Sequence, residues 1–587
     1  MALCASLLAS CFLATSEVEA TEAGEWTSGI EIPGGWYSVD YYVGYPVVAI
    51  SNDHAVAVWI EANVTDPLDI TRDIRASISI DGSWSAATSI SSGLDLLTEQ
   101  PMVAIDSDGD ALVVWDQINP DTQNISIFAL SYSDGAWTTP IVVSVPSINA
   151  IYPRLAMSSY GDAIIVWQQM NSNLSCYSLY ARSYSDGEWG TIQLASSSTA
   201  PYSAVDARVQ MNENGDAILV WDQVQPVTYD FAVYANTFEN GDWGTPTLIA
   251  SDSTDSFAPS VAMDDNGNAV VTWFYGSTSN IYDYSVYSKT YSDGDWEDKQ
   301  LIGSGAAFST YLLSNHNLVM DENGDAIAVW AEYNSTTESS NITACMYHDG
   351  VWGTVQRLSS GTTDANYPNT AMGDNGEASV VWVQRDLGND NNSFYRIFAC
   401  NYKDGAWGTP QIISYLTDSI GVWAPDIAMD HNGDAVAIWY QYGPESDYLN
   451  GSISAAFLDS GNAVVTYTRS VIGTVVDAEG NAISGVTVKL AGVVITTDSS
   501  GHFEFENVTA GSYVLTMEKD GFEKLTVDVN VVKKTTNVGD LTITELGSGG
   551  ATSSISDTSM VMMVALAATI EVAAVALVVL IRKKRRI

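Results

Sequence analysis

Basic residues are scarce: 22 Lys plus Arg stand against 71 Asp plus Glu over 587 residues, for a formal charge of −49. A surface of that sign repels a phosphate backbone, which excludes nucleic acid as a partner. Charged residues are only 16% of the chain while hydrophobic ones reach 46%, so the acidity is not that of a disordered acidic tail. Cysteine is equally sparse. Of five, Cys4 and Cys11 fall in the first apolar stretch, and Cys176, Cys345 and Cys400 are too few to staple a fold. Cys345 and Cys400 each precede a tryptophan by seven residues, so they read as small buried residues at one repeated position, too far apart to bridge. The five histidines, His54, His316, His348, His431 and His502, include no two at metal-ligand spacing. Gly-x-Ser-x-Gly, His-Glu-x-x-His and phosphate-binding loops are missing, which removes the commonest signatures of hydrolases and nucleotide enzymes.

Tryptophan is what the chain has in a pattern, since 16 of its 18 fall into two interleaved series. One is Trp59, Trp115, Trp167, Trp221, Trp273, Trp330, Trp382 and Trp439; the other is Trp26, Trp84, Trp137, Trp189, Trp243, Trp296, Trp352 and Trp407. Neighbours in each series are 52 to 58 residues apart, the period of an array of like supersecondary units. A unit reads as four short apolar runs, as in Met102-Val-Ala-Ile, Ala111-Leu-Val-Val-Trp115, Ile127-Phe-Ala-Leu and Ile141-Val-Val, separated by Asp-Gly or Asn-Gly turns. Such a unit is a four-stranded meander, the blade of a β-propeller. The last unit lacks a fourth strand and the segment around Trp26 is a fourth strand without a unit. Eight blades are therefore expected over residues 21–469, with the N-terminal strand completing the eighth and leaving no free sheet edge.

Two resemblances accompany this reading. The Ser-Asp-Gly-x-Trp turns resemble, loosely, the Asp-box of secreted β-propellers, but they lack the residue that usually precedes the Gly, so no sialidase catalysis is carried over. The second is closer. Ile472-Gly-Thr-Val-Val-Asp477, Gly480-Asn-Ala-Ile-Ser-Gly485, Thr497-Asp-Ser-Ser-Gly501-His-Phe503, Gly511-Ser-Tyr513 and Gly521-Phe522 resemble a carboxypeptidase regulatory-like domain over residues 470–545. That resemblance implies a small transthyretin-like Greek-key β-sandwich with no catalytic site of its own.

The ends of the chain point to a location. Residues 7–15 are apolar and Val18-Glu19-Ala20 offers a cleavage site, so residues 1–20 read as a secretory signal; Leu8-Ala9-Ser10-Cys11 would alternatively lipidate Cys11. Residues 546–559 are a Gly/Ser-rich linker, residues 560–581 are apolar except for Glu571, and residues 582–587 form a basic tail. This predicts one transmembrane helix, a cytoplasmic tail and everything before it outside the cell. Glu571 near the bilayer centre reads either as a helix–helix contact or as a tolerated protonated side chain. The whole is expected to be an all-β, membrane-anchored surface protein of an archaeon or bacterium.

Chain direction puts the a–b and c–d turns at one end of the ring and the b–c and d–a loops at the other. Because the eighth blade ends after its third strand, the chain exits at the tight-turn end, and the long-loop end is expected to face away from the membrane. Sequons at Asn63, Asn124, Asn173, Asn334, Asn341, Asn391 and Asn450 follow the strand-b tryptophans, and Asn507 lies elsewhere; all eight are glycosylation candidates. The two tryptophans outside the series, Trp36 and Trp423, fall in adjacent d–a segments, with Tyr37, Tyr41, Tyr42 and Tyr45 beside Trp36. These six residues are the candidate ligand-binding cluster, or else packing for the closure seam. Arg154 and Arg208 repeat at the start of strand a, where they would hold an acidic ligand or pair with a nearby Asp. Asp106-Ser-Asp108-Gly-Asp110 and Asp321-Glu-Asn323-Gly-Asp325 gather hard oxygen ligands and make Ca²⁺ a candidate cofactor, although hairpin chemistry explains the same residues. His431 takes a turn position held in sister units by Glu213, Asp265 and Glu322, and reads as a surface residue. No catalytic residue emerges. The expected function is adhesion or binding of an extracellular glycan or protein, the alternatives being a surface polysaccharide hydrolase or lyase and a structural envelope component.

Overall fold

The structure is a computed structural model that describes residues 24–34, 41–52, 54–63, 71–91, 101–171, 175–185, 187–197, 202–225, 228–251, 254–276, 284–306, 316–359, 363–387, 393–414, 421–442, 451–461, 469–508, 511–531 and 535–546. Among these residues every regular element is a strand, and no helix is long and apolar enough to cross a membrane. The expected transmembrane helix, the signal, Trp36, Tyr37, Asn173, Asn391 and Asn450 lie outside the described residues.

Each repeat folds as the expected meander. In the third blade Ala150–Met157, Ala163–Asn171 and Cys176–Ser185 pair antiparallel as strands a, b and c, and strand d arrives in two pieces, Glu188–Trp189 and Gln193–Leu194. Strand b is apolar on both faces because it is covered by a blade on each side, so it reads as a continuous run such as Ile164-Ile-Val-Trp167. The strand-b tryptophans are the pegs between blades, all exposed by 1% or less. Trp115 packs among Val58 and Ile60 of the blade before it, Trp167 among Val114 and Ile127, and Trp221 among Ile164 and Val166. Trp273, Trp330, Trp382 and Trp439 repeat this against blades four to seven. Trp59 of the first blade packs among Ile438 and Ile453 of the eighth, so the ring is closed. Replacing one such peg with Ala costs about 3–5 kcal/mol. Five of them donate from Nε1 to the glutamine two residues on, as Trp115 does to Gln117 at 3.0 Å.

The closing strand is where the tryptophan count placed it. Ile30–Glu31 pairs antiparallel with Gly451–Leu458, Ile30 facing Ala455, and Trp26 bridges Leu458. Gly29 is required there, since a Cβ would stand 2.5 Å from Cζ2 of Trp439. Blades five and six share one further pairing, Ala306 with Glu332.

The two kinds of tight turn differ in mechanism. At the c–d turns Asp134-Gly135, Asn240-Gly241, Asp293-Gly294, Asp349-Gly350 and Asp404-Gly405 both residues have positive φ, as a two-residue type I′ turn requires. The Asn-Gly pairs at the a–b turns are not of this kind. There only the Gly is left-handed, and the first turn residue shapes a longer loop: Asp321 Oδ1 accepts from the N–H of Asn323 and Asp325 at 3.0 and 2.9 Å.

The second compact unit is the expected sandwich. One sheet orders His502–Val508, Arg469–Val476, Thr535–Thr542, and the other Val493–Thr496, Thr487–Leu490, Gly511–Glu518, Leu525–Val531. Val475, Val488, Leu490, Phe503, Leu515 and Met517 fill its core.

Candidate functional site

The eight a strands form the innermost ring, each touching the next and the eighth touching the first. The two ends of that ring are built differently.

At the tight-turn end the polar groups are consumed in linking blade to blade. Asp106, Asn212, Asp264, Asp321 and Asp430 each accept two backbone N–H groups on Oδ1. Glu213 accepts from the Ser159 N–H and hydroxyl of the preceding blade, and the Asp265 carboxylate accepts from Glu213 N–H. Asn214, Asn323 and Asn375 donate to carbonyls of the following turn. Burial pushes Asp106 up to about 7 and Asp430 up to about 6, against the N–H bonds that favour the anion. His431 is not simply a surface residue: its Nδ1 sits 2.6 Å from Asp374 Oδ2 of the preceding blade, with the side chain 29% exposed. Burial would lower its pKa, but the Asp374 bond and the charges of Asp374, Glu213 and Asp430 more than offset that and raise it. Among the described residues no three His, Cys, Asp or Glu are grouped to hold a metal. The candidate Ca²⁺ ligands Asp106 and Asp321 instead serve the backbone of their own turns.

At the long-loop end strand a carries a bulge in six blades, at Gly44/Val47, Ile151/Arg154, Val205/Arg208, Phe257/Ser260, Asn366/Asn369 and Trp423/Asp426. In five of them a non-glycine residue is left-handed: Tyr152, Asp206, Ala258, Tyr367 and Ala424, with φ between 49° and 58°. Each costs about 1–2 kcal/mol, a strain that persists only where the surroundings hold it. Buried aspartates of the preceding blade supply part of that hold. Asp116 Oδ2 accepts from Tyr152 N–H at 3.1 Å, and Asp222 Oδ2 from Ala258 N–H at 2.8 Å.

Just past the bulge, one residue per blade forms a belt around the inner ring: Val47, Met102, Arg154, Arg208, Ser260, Asn317, Asn369 and Asp426. Its polar members hand hydrogen bonds from blade to blade. Asn317 Nδ2 donates to Asn369 Oδ1 at 2.9 Å, Asn369 Nδ2 to Asp426 Oδ1 at 2.6 Å, and Val48 N–H to Asp426 Oδ2 at 2.9 Å. Burial pushes the Asp426 carboxyl up to about 6, although these donors favour its anion. Before the bulge, on the strand that carries Asp426, lies an aromatic platform: Trp423 is half-buried with its ring 5.8 Å from that of Tyr367 and 5.5 Å from that of Tyr395.

Trp423 is thus on strand Val422–Met429, not in a d–a loop as its sequence position indicated, because the strand continues through its bulge. Tyr41, Tyr42 and Tyr45 lie on Tyr41–Ser51, and their side chains are outside the described residues. Tyr367, Tyr395, Asn369 and Asp426 were missed. The recurring pairs Tyr45-Pro46, Tyr152-Pro153, Ala258-Pro259, Tyr367-Pro368 and Ala424-Pro425 mark five of the six bulges, the sixth carrying Asp206-Ala207, and a column-by-column alignment of the repeats finds the belt two residues after the first of each pair. Of the described sequons, Asn124 and Asn334 are half-buried at strand ends, Asn63 ends a strand and Asn507 is exposed. Asn341 is 3% exposed inside Ser339–His348, where an attached glycan has no room.

Residues 470–544 match the family model of the carboxypeptidase regulatory-like domain. No curated protein matches the chain. Among solved structures the chain is similar to the α-L-arabinofuranosidase of Fusarium graminearum bound to an iminosugar inhibitor, at 14% identity over 55% of this chain and 98% of that one, with a TM-score of 0.35. The α-L-arabinanase of Penicillium chrysogenum with arabinobiose gives 13%, 75%, 100% and 0.33, and the polysaccharide lyase Uly1 gives 8%, 59%, 88% and 0.41. At these values none of them says what this chain binds or does.

Proposed function

We propose that the protein is a surface-displayed propeller that binds an extracellular glycan at the long-loop mouth of its inner ring. The observation that carries this is Trp423, half-buried against the rings of Tyr367 and Tyr395 on the same strand as Asp426 of the Asn369–Asp426 pair. Ring faces offer a sugar large contact area at small entropic cost, while fixed amide and carboxylate groups select its hydroxyls. The apolar residues 560–581 with the basic run after them anchor the chain in a membrane in this proposal, with the ring outside. The chain leaves the eighth blade at Leu458, the tight-turn end, so the platform lies at the end away from that exit.

One observation favours a second reading, cleavage of the bound polysaccharide. A carboxyl pushed up to about 6, as Asp426 is, stays partly protonated near neutral pH, as a general acid must. One experiment separates the two. The full chain in detergent micelles is incubated with a panel of immobilised and soluble glycans, scoring retention and product release together. Retention without release, reduced at least about tenfold by Trp423→Ala, is the expected result. Released oligosaccharide that disappears in Asp426→Asn establishes cleavage instead, and retention untouched by Trp423→Ala overturns the site.

A further inference from the structure

Arg154 and Arg208 occupy the same belt position in neighbouring strands, facing Val166 and Val220. Their guanidinium groups converge: Arg154 Nε and Arg208 Nη1 donate to one oxygen, the carbonyl of Ala207, at 3.1 and 2.9 Å. Arg154 Nη1 also donates to the Pro153 carbonyl at 2.9 Å, so carbonyl bonds orient both side chains. Both reach solvent, the Arg208 side chain being 23% exposed and Arg154 half-buried. Arg208 Nη1 also lies 2.8 Å from Asp206 Oδ1, an ion pair within the same strand. Burial first and Asp206 second hold the Asp222 carboxyl well above the usual carboxylate range, with Arg208 acting against them. In a chain with 22 basic and 71 acidic residues, two arginines meeting at one level of the inner ring gather guanidinium groups that are otherwise scarce.

An aromatic pair lies at the same end of blade four, the blade of Arg208. Tyr202 leads into Ala204–Met211, and its ring meets that of Tyr229 edge-on at 6.2 Å, with Tyr229 69% exposed. Blades three and four lie across an eight-membered ring from blades seven and eight, which carry the Trp423 platform. A chain-like ligand crossing the mouth therefore meets an uncharged aromatic subsite on one side and a cationic one on the other.

We infer that Arg154 and Arg208, with Tyr229 at the same end of blade four, form a subsite for the acidic group of a charged glycan, a carboxylate or a sulfate ester. This rests on the glycan reading above and names its substrate class. Guanidinium forks match either oxyanion with paired N–H donors, which a single ammonium cannot do.

The test uses matched polymers and the full chain in detergent. Polygalacturonate is compared with its methyl ester, and dextran sulfate with dextran, so that each pair differs only in charge. The intact protein is expected to bind at least one acidic polymer about tenfold or more tightly than its neutral match, and the preferred pair identifies carboxylate or sulfate. Arg154→Gln and Arg208→Gln should erase that preference and leave weaker, charge-blind binding. Arg154→Lys and Arg208→Lys should keep only part of it. Asp206→Asn, which removes the competing carboxylate, should tighten acidic binding about threefold, a gain that misfolding cannot produce. Unfolding curves show which variants fold; if the glutamine variants do not, the lysine and Asp206→Asn variants decide. Equal binding of both members of each pair, still lost on Trp423→Ala, overturns this inference and leaves the glycan platform standing. No binding of any polymer by the intact protein overturns both.

Discussion

The two ends of the inner ring are made from the same eight strands and both link blade to blade through polar groups, yet their backbones differ. At the tight-turn end Asp106, Asp321 and Asp430 give Oδ1 to two N–H groups of their own turn, and Glu213, Asn323 and Asn375 tie each turn to a neighbour. At the long-loop end the strands bulge, five non-glycine residues are left-handed, and Trp423, Arg154 and Arg208 sit on the distorted strands. One end holds the ring together. The other stores strain and presents varied side chains, the pattern expected where contact with a ligand matters more than economy.

The largest effect that would break this comparison is on stability at the tight-turn end. Asp321→Ala removes a 3%-exposed carboxylate, leaves the N–H groups of Asn323 and Asp325 without their acceptor and should destabilise the ring by about 1–3 kcal/mol without altering glycan affinity once folded. Denaturant unfolding and a binding titration of the same sample check both halves, and a loss of affinity in the folded variant would place function at the wrong end.

A pH series tests the same end with a smaller expected effect. Asp106 at about 7 and Asp430 at about 6 lie above the ordinary carboxylate range, so the folded ring binds more protons than the unfolded chain between about pH 4 and 7. Stability from these groups is fully present at about pH 4 and is lost as pH rises through their folded values. The sandwich uses the same turn with the opposite sign. Asp477 and Asp498 accept the equivalent N–H bonds while exposed, and the side-chain bonds from Asn481 and Ser500 first, then those N–H bonds, hold both below the usual range, so their contribution is lost only as pH falls below about 4. Calorimetry from pH 8 to 5 should raise the ring's transition and leave the sandwich's nearly unchanged. Asp106→Asn should flatten the ring's response and not weaken it at pH 8, since Asn212 already makes the same two bonds through an amide oxygen.

The smallest effect sharpens the other end. Ala258→Gly removes the left-handed penalty at φ 52° while keeping the Asp222 bond, and should stabilise the ring by up to about 1 kcal/mol. A destabilisation would mean that the bulge is not strained.

Much of the ring was legible because its signals are periodic. Sixteen tryptophans in two registers gave the blade number, and the unpaired Trp26 segment gave the closure that Ile30 and Ala455 make. The site was less legible for a physical reason. The bulge shifts register by local backbone geometry, so Trp423, apparently in a loop, lies on a strand, and Tyr367 and Tyr395 reach it from the preceding blade. The convergence of Arg154 and Arg208 on one carbonyl is likewise a matter of side-chain direction between strands, although their shared repeat position was visible. The acidic turns were legible as residues and ambiguous as chemistry, since a calcium loop and an Asp-capped turn use the same letters.

The most direct test of which end binds is backbone hydrogen exchange of the full chain with and without its retained glycan. Slower exchange confined to Ala365–Met372, Val422–Met429 and the long-loop ends of neighbouring strands is the predicted result. Protection at the a–b turns around Asp106, Asp321 and Asp430, with none on those two strands, would contradict it.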